Sequence, residues 1–195
     1  MKQQHTLFLT ALSLIFLTAP VHATPIQWST ASGGNGHWYE FIDHGGITWD
    51  EARTDASSLY GPNAYLATIT SEAENDFIFN LGIEDRPIWL GGYQDDGAAL
   101  ADEGWHWVTD EAWTYTNWAP GEPNDWNGTV ENALAFAFFE GNGTWNDAPD
   151  STRYLGDGGY VVEYESAPVP EPATMLLFGT GLAGIVGGRM RRKKK

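Results

Sequence analysis

Between the chain's two ends, helical signals are confined to residues 48–82, and the later apolar segments up to residue 165 are too short and too interrupted to continue them. The segment "TWDEARTDASSL" (48–59) opens with Thr48 and Glu51 in capping-box spacing and puts Trp49, Ala52, Ala56 and Leu59 on one helical face. A second helix is expected to start the same way at Ser71 with Glu74, to carry Ala73, Phe77 and Leu81 inward and to stop at Gly82. "HWYEFID" (37–43) alternates as a strand, and "IWLGG" (88–92), "WHWV" (105–108), "ALAFAFF" (133–139) and "YVVEY" (160–164) are short apolar runs between Gly, Asn, Asp and Pro clusters. Two helices and then a strand-and-loop half make an α+β domain. Residues 109–132 are too long for a hairpin connection, and Trp113, Tyr115, Trp118 and Trp126, with Phe136 just beyond, argue that this loop is ordered.

The two ends read differently from this domain. Lys2 precedes an apolar run, Leu7 to Ala19, and Val21-His22-Ala23 offers small residues at both ends, so residues 1–23 are expected to be a cleaved export signal. Residues 24–36, rich in Gly and Ser, are expected to be a flexible lead-in to a domain spanning 37–165. Residues 166–195 run from a proline-stiffened linker through an apolar Gly-rich stretch to the basic end Arg189–Lys195. This tail resembles the PEP-CTERM sorting signal of Gram-negative bacteria, with Val169-Pro170-Glu171-Pro172 matching its motif. The resemblance implies a transient inner-membrane anchor cut by an exosortase, and a product at the cell surface or in an extracellular matrix. A permanent C-terminal anchor is the alternative.

Removing both ends takes away all but Arg53, Arg86 and Arg153 of the basic residues and, of the 26 acidic ones, only Glu171, which leaves a charge of about −22. Such a surface repels nucleic acid and anionic membranes and attracts cations, so no nucleic-acid partner is expected, and membrane contact only through the tail before processing. A solvated acidic coat would carry the same charge without any metal. The chain has no cysteine, so the exported domain is held by its core, which ten tryptophans make strongly aromatic, and by any bound ions.

Within the long loop and just after it, Glu122, Asn124, Glu131, Asn146 and Asp147 gather carboxylates and amide oxygens, the donors that calcium takes six to eight at a time. Pro123 would hold Glu122 and Asn124 on one side, particularly across a cis Glu122-Pro123 bond. The same residue types also form ordinary turns.

Taken together, "TWDEA" (48–52), "YLATITSEAEN" (65–75), "WLGG" (89–92), "WHWVTD" (105–110), "YTNWAPGEPND" (115–125), "EN" (131–132), "WND" (145–147) and "YVVEYE" (160–165) resemble the C-type lectin-like domain, in order, from His37 to Glu165. The resemblance implies a C-type lectin-like fold: two helices, a mixed, mainly antiparallel sheet and a long calcium-binding loop. It also implies that Glu122, Asn124, Glu131, Asn146 and Asp147 ligate Ca2+ and that Pro123 is a cis proline. Glu122, Asn124, Glu131 and Asn146 would also hydrogen-bond sugar hydroxyls. Glu-Pro-Asn goes with mannose-type sugars in that family, whereas Trp126 stands where galactose-binding members place a stacking ring; ordinary loop packing is the other reading of Trp126. Asp125 with Asp95 or Asp96 and Asp102 or Glu103 would make a second metal set, as some members have, but the alignment slips there and an acidic solvated loop is the preferred reading. Ala56, Ala133, Asp150 and Val162 occupy the positions of the family's usual cysteines, so two disulfides are absent.

These readings point to a calcium-dependent module that binds carbohydrate, an exopolysaccharide or another glycan. The alternative is a calcium-stabilised adhesion module that grips a protein partner. Catalysis is not expected: nothing ties His37, His44 or His106 to a nucleophile, and the Asn-Gly pairs at 127–128 and 142–143 read as turns.

Overall fold

The computed structural model describes residues 24–59, 63–83, 86–137, 139–154 and 158–168. The expected export signal and nearly all of the sorting tail lie outside them. Among the described residues, no helix is long and apolar enough to cross a membrane.

Both helices start where the capping boxes place them. In α1 (Trp49–Leu59) the Thr48 hydroxyl accepts from the Glu51 N–H at 3.2 Å and Glu51 Oε2 accepts from the Thr48 N–H at 3.0 Å. Trp49, Ala52 and Ala56 are buried along its inner face; the Leu59 side chain is outside the described set. In α2 (Glu72–Phe79) the Ser71 hydroxyl accepts from the Glu74 N–H. Here the inward face differs from expectation: Ala73 is exposed, Phe77 and Leu81 are half-buried, and the buried residues are Glu74, Asn75 and Ile78. Two polar side chains point inward because the interior offers them partners. Glu74 accepts from Tyr39 Oη at 2.6 Å and from Thr70 N–H at 2.7 Å, while Asn75 donates to Gly143 O and accepts from Trp145 Nε1 at 2.8 Å.

The strands are β1 (Ile26–Gln27), β2 (Trp38–Asp43), β3 (Ala64–Leu66), β4 (Ile88–Gln94), β5 (Trp105–Trp107), β6 (Ala133–Phe136), β7 (Trp145–Ala148) and β8 (Gly159–Tyr164). They form one sheet in the order β1-β2-β8-β4-β6-β7, with β3 on β8 and β5 on β4. All pairings are antiparallel except β4 with β8. Residues 24–36 are not a flexible lead-in. They contribute β1 and a 3-10 turn (Thr30–Ser32), and Trp28 stacks on Phe77 with ring centres 5.7 Å apart, so apolar burial fastens a segment whose composition reads as loose.

Successive residues of the central strands enter opposite cores. Tyr160, Val162 and Tyr164 of β8, with Trp89 of β4, pack under α1, whereas Val161, Ile88 and Leu90 face α2 and the long loop. Ala56 and Val162, at two of the missing cysteine positions, are both fully buried in the α1 core. A side chain at Gly91 would collide with the Leu66 carbonyl, which is why β4 can lie this close to β3.

The second core orders the loop between β5 and β6. Trp113 packs 4.4 Å from Trp107, and Trp118 and Tyr115 meet the fully buried Trp145 edge-on. Backbone bonds from Trp145 N to Asn117 O and from Ala119 N to Trp145 O lay the loop beside β7. "GEPND" and "WND" are thereby brought together.

Candidate functional site

The site begins with Asp147. It is fully buried on β7, and its carboxylate accepts the N–H of Asn124 (3.0 Å to Oδ2) and of Asp125 (3.0 Å). Those two bonds clamp the Glu-Pro-Asn segment to the sheet, and the Glu122-Pro123 peptide is cis, as expected. The chain then turns through Asp125 (φ +46°) and Asn127 (φ +56°), left-handed positions that Asp and Asn tolerate better than other side chains. Gly128 N–H closes the turn on Asp125 O, and Trp126 is carried to its tip, 66 % exposed. Glu131 returns the chain: its Oε2 accepts from Trp126 N–H at 2.7 Å, while its own N–H donates to Asp125 Oδ1 at 3.0 Å.

Glu122, Asn124, Trp126, Glu131 and Asn146 line one open depression of about 320 Å³, with Phe139 from the turn after β6. Five of the six sequence-selected residues thus share a surface, and the sixth, Asp147, lies beneath them as their support. Phe139 was not foreseen as a lining residue: it ends the 133–139 apolar run read as a strand, but β6 stops at Phe136 and a turn carries Phe139 to the depression. Among the described residues no three carboxylate or imidazole side chains converge tightly enough to hold a metal by themselves. Any ion here therefore needs the amide oxygens of Asn124 and Asn146 as well. Asn146 Nδ2 bonds the Asp147 carbonyl.

The electrostatics show what the depression lacks. Glu122 Oε2 is buried with no hydrogen-bond partner. Burial first, then the neighbouring Asp147 carboxylate and the Glu131 charge, push the Glu122 carboxyl up to about 7. Burial likewise raises Glu131, against the opposing pull of the Trp126 N–H. Three acids crowded in this way, with two amides at the rim and no basic residue in the lining, form an all-oxygen donor set that suits a hard divalent cation.

The second set is not drawn together in the same way. Asp95 and Asp96 line a separate depression with Asp50, Asp150 and the cationic Arg53, and Asp95 Oδ2 bonds His106 Nε2 at 2.9 Å across the β4–β5 connection. Asp125 belongs to the first site's turn, and Asp102 and Glu103 line neither depression. Both Asn-Gly pairs are turns: Gly128 has φ +73° and Gly143 φ +75°, and Asn142 Oδ1 accepts from Thr144 N–H.

Comparison with known proteins gives two family matches, the Lectin C-type domain over residues 46–155 and the PEP-CTERM protein-sorting motif over residues 168–193. The chain is 34% identical to Halomucin of Haloquadratum walsbyi over 176 residues, covering 81% of this chain and 2% of that protein. It is 31% identical over 126 residues to C-type lectin domain family 10 member A of Homo sapiens, covering 63% of this chain and 35% of the other. The chain thus spans well under two thirds of the length of these curated relatives. Among solved structures, the cow C-type carbohydrate-recognition domain of CD23, crystallised in the presence of GlcNAc2Man3 oligosaccharide, superposes with a TM-score of 0.57 at 28% identity, over 75% of this chain and 95% of that one.

Proposed function

The chain belongs to the C-type lectin domain family, and from that premise we propose that it is a calcium-dependent carbohydrate-binding module working outside the cell. The observation that carries this reading is the unpartnered, buried Glu122 Oε2, set among Asp147 and Glu131 in a depression whose remaining polar lining is amide. Glu122, Asn124, Glu131, Asn146 and Asp147 would hold the ion. When bound, Ca2+ neutralises the crowded carboxylates and polarises ligand hydroxyls.

The side chains divide the remaining work. Asp147, clamped by two backbone N–H groups, fixes the height of the Glu-Pro-Asn segment over β7. Carboxylates at Glu122 and Glu131 accept from sugar hydroxyls, and amides at Asn124 and Asn146 donate to them; a vicinal diol offers both roles at once. Trp126, at the tip of the turn and two-thirds exposed, supplies an aromatic face for a pyranose ring. Glu-Pro-Asn favours mannose-type hydroxyl geometry and Trp126 favours galactose-type stacking, so the two classes are the sugars to test first. A glycan array probed in calcium and again with excess chelator tests the reading: glycan signals that vanish with chelator support it, and equal signals in both refute it.

The fold and family are non-enzymatic, and the PEP-CTERM motif implies export and sorting by an exosortase. Release into an exopolysaccharide matrix after transient anchoring completes the proposal. The exposure of Val130, four residues after the exposed Trp126 in the same loop, favours one second reading, a calcium-stabilised adhesion surface for a protein partner. Glu122→Gln combined with Asn124→Asp separates the two: a sugar binder changes its glycan preference, whereas a protein binder mainly loses stability.

A further inference from the structure

Two turns of the described surface carry the same short pattern. Asn127-Gly128-Thr129 and Asn142-Gly143-Thr144 each place a threonine two residues after an asparagine, the pattern of an N-linked glycosylation acceptor in an exported chain. An acid precedes each asparagine by two residues, Asp125 in the first and Glu140 in the second. The structure separates the two. At Asn127 the Thr129 N–H turns back to Trp126 O, Asp125 Oδ1 is engaged by the Glu131 N–H, and among the described residues no bond joins the Thr129 hydroxyl to Asn127. At Asn142 the Thr144 hydroxyl and the Thr144 N–H both donate to Oδ1, at 2.8 and 3.1 Å. Those bonds occupy the amide oxygen, and among the described residues Nδ2 has no hydrogen-bond partner. Glu140, Gly141 and Asn142 are all exposed, whereas the base of the turn is pinned: Gly143 O accepts from Asn75 Nδ2 at 3.0 Å and from Asn117 Nδ2 at 2.9 Å, and Ala137 N–H donates to Thr144 O at 2.7 Å. Gly143 itself has φ +75°, and a Cβ on it would lie 3.0 Å from Phe79 Cγ, so glycine is the residue that fits between this asparagine and its threonine.

We propose that Asn142 is an acceptor site for N-linked glycosylation, modified after export by a membrane oligosaccharyltransferase that draws on a lipid-pyrophosphate-linked oligosaccharide. In the transfer, Nδ2 forms a bond to the anomeric carbon of the first sugar, the bond from that carbon to the pyrophosphate oxygen breaks, the lipid pyrophosphate leaves with the electron pair, and Nδ2 gives up one proton to a base. An amide nitrogen is a weak nucleophile because its lone pair is shared with the carbonyl, so an enzyme must enclose the acceptor and hold it still. A protruding turn whose base is fixed, with Oδ1 already held by Thr144 and Nδ2 facing solvent, offers the group in that form. Glu140, which forms no ion pair among the described residues, gives the basic groups of such an enzyme a contact beside the acceptor. The inference needs export, which the sorting motif implies, and does not need the depression to bind sugar.

The test exports the full chain in bacterial cells that carry an oligosaccharyltransferase and its lipid-pyrophosphate-linked oligosaccharide, together with a second exported protein whose acceptor asparagine is established, which reports that enzyme and donor are active. Intact mass and fragmentation of the peptide containing Asn142 are then read. The wild-type chain is expected to carry one oligosaccharide on Asn142. Asn142→Gln and Thr144→Val should lose it, and Thr144→Ser, which keeps the hydroxyl, should retain it, as should Asn127→Gln. Thr144→Val preserves the shape of a half-buried side chain, and a melting temperature equal to that of Thr144→Ser will show that the loss is not one of folding. An unmodified Asn142 beside a modified control protein, a glycan on Asn127 alone, a mass change matching only hydrolysis of the Asn142 amide, or a Thr144→Val chain glycosylated as fully as the wild type would each overturn the proposal. None of these results bears on calcium-dependent sugar binding, which the glycan array tests separately.

Discussion

The N–H of Asn124 points at the buried carboxylate of Asp147 from a neighbouring loop, 3.0 Å from Oδ2 and 3.2 Å from Oδ1. With the adjacent bond from Asp125, this contact joins a 23-residue separation in sequence into a single structural unit. Asp147→Ala should therefore do more than remove a ligand. It leaves two part-buried N–H donors without their acceptor and hollows a fully buried position, at a cost of about 1–3 kcal/mol of stability measurable by urea denaturation even in chelator. A loss below about 0.5 kcal/mol would show that the clamp is not structural.

Chelation should lower the melting temperature of the wild-type protein. An ion that binds only the folded loop contributes about 2.7 kcal/mol at a hundredfold excess over its dissociation constant, which corresponds to a shift of several degrees in a domain of this size. With no cysteine to cross-link the chain, that contribution has no covalent substitute. Identical thermal scans in calcium and in EDTA would contradict the prediction.

The Glu122 carboxyl is pushed up to about 7, so the folded protein binds a proton there that the unfolded chain has already released at lower pH. Without a divalent cation, this group's contribution is fully present at acid pH and is lost as pH rises through its ordinary range toward 7. Calcium reverses the trend, because it competes with that proton and ligates only the carboxylate. Melting curves in chelator should thus favour Glu122→Gln over the wild type more at pH 8 than at pH 5, and the gain from calcium should be larger at pH 8. Parallel pH profiles for the two proteins would refute this assignment.

A fourth stability test lies away from the site. Tyr39 Oη sits 2.6 Å from Glu74 Oε1 and 3.1 Å from Glu163 Oε1, between two buried acids, and His37 Nδ1 lies 2.7 Å from the same Glu163 oxygen. Burial raises the Glu163 carboxyl, and its hydrogen bond to Glu163 raises the His37 imidazole. Removing the hydroxyl in Tyr39→Phe leaves these acids facing each other with one donor fewer and should cost about 1–3 kcal/mol by denaturant melt. A neutral substitution would show that the network is dispensable.

Much of this molecule was legible before its structure because its local signals agree. The Thr48–Glu51 capping box formed in full, Ser71 capped α2 by accepting the Glu74 N–H while the Glu74 carboxylate took the Thr70 N–H instead, each of the four apolar runs contributed a strand, and the Glu-Pro-Asn and Trp-Asn-Asp segments met beside β7. The failures in α2 and at the start of the domain share one physical origin: burial satisfied mostly by partners far away in sequence. Apolar spacing in α2 pointed to Ala73, but Glu74 and Asn75 turn inward because Tyr39, Thr70, Gly143 and Trp145 receive them. The Gly- and Ser-rich start read as loose, but Trp28 finds Phe77. Phe139 ended an apolar run that read as strand, but β6 stops at Phe136 and a turn brings Phe139 to the depression.

The most direct measurement is a calorimetric titration of calcium into the wild-type protein and into Glu122→Gln, both first shown to be folded by circular dichroism. We expect a single saturable binding event in the wild type, and affinity reduced at least about tenfold in the variant, which keeps the shape of the side chain but loses the charge. No saturable binding to the wild type, or equal affinities for the two proteins, would contradict the claim that these five residues form a cation site.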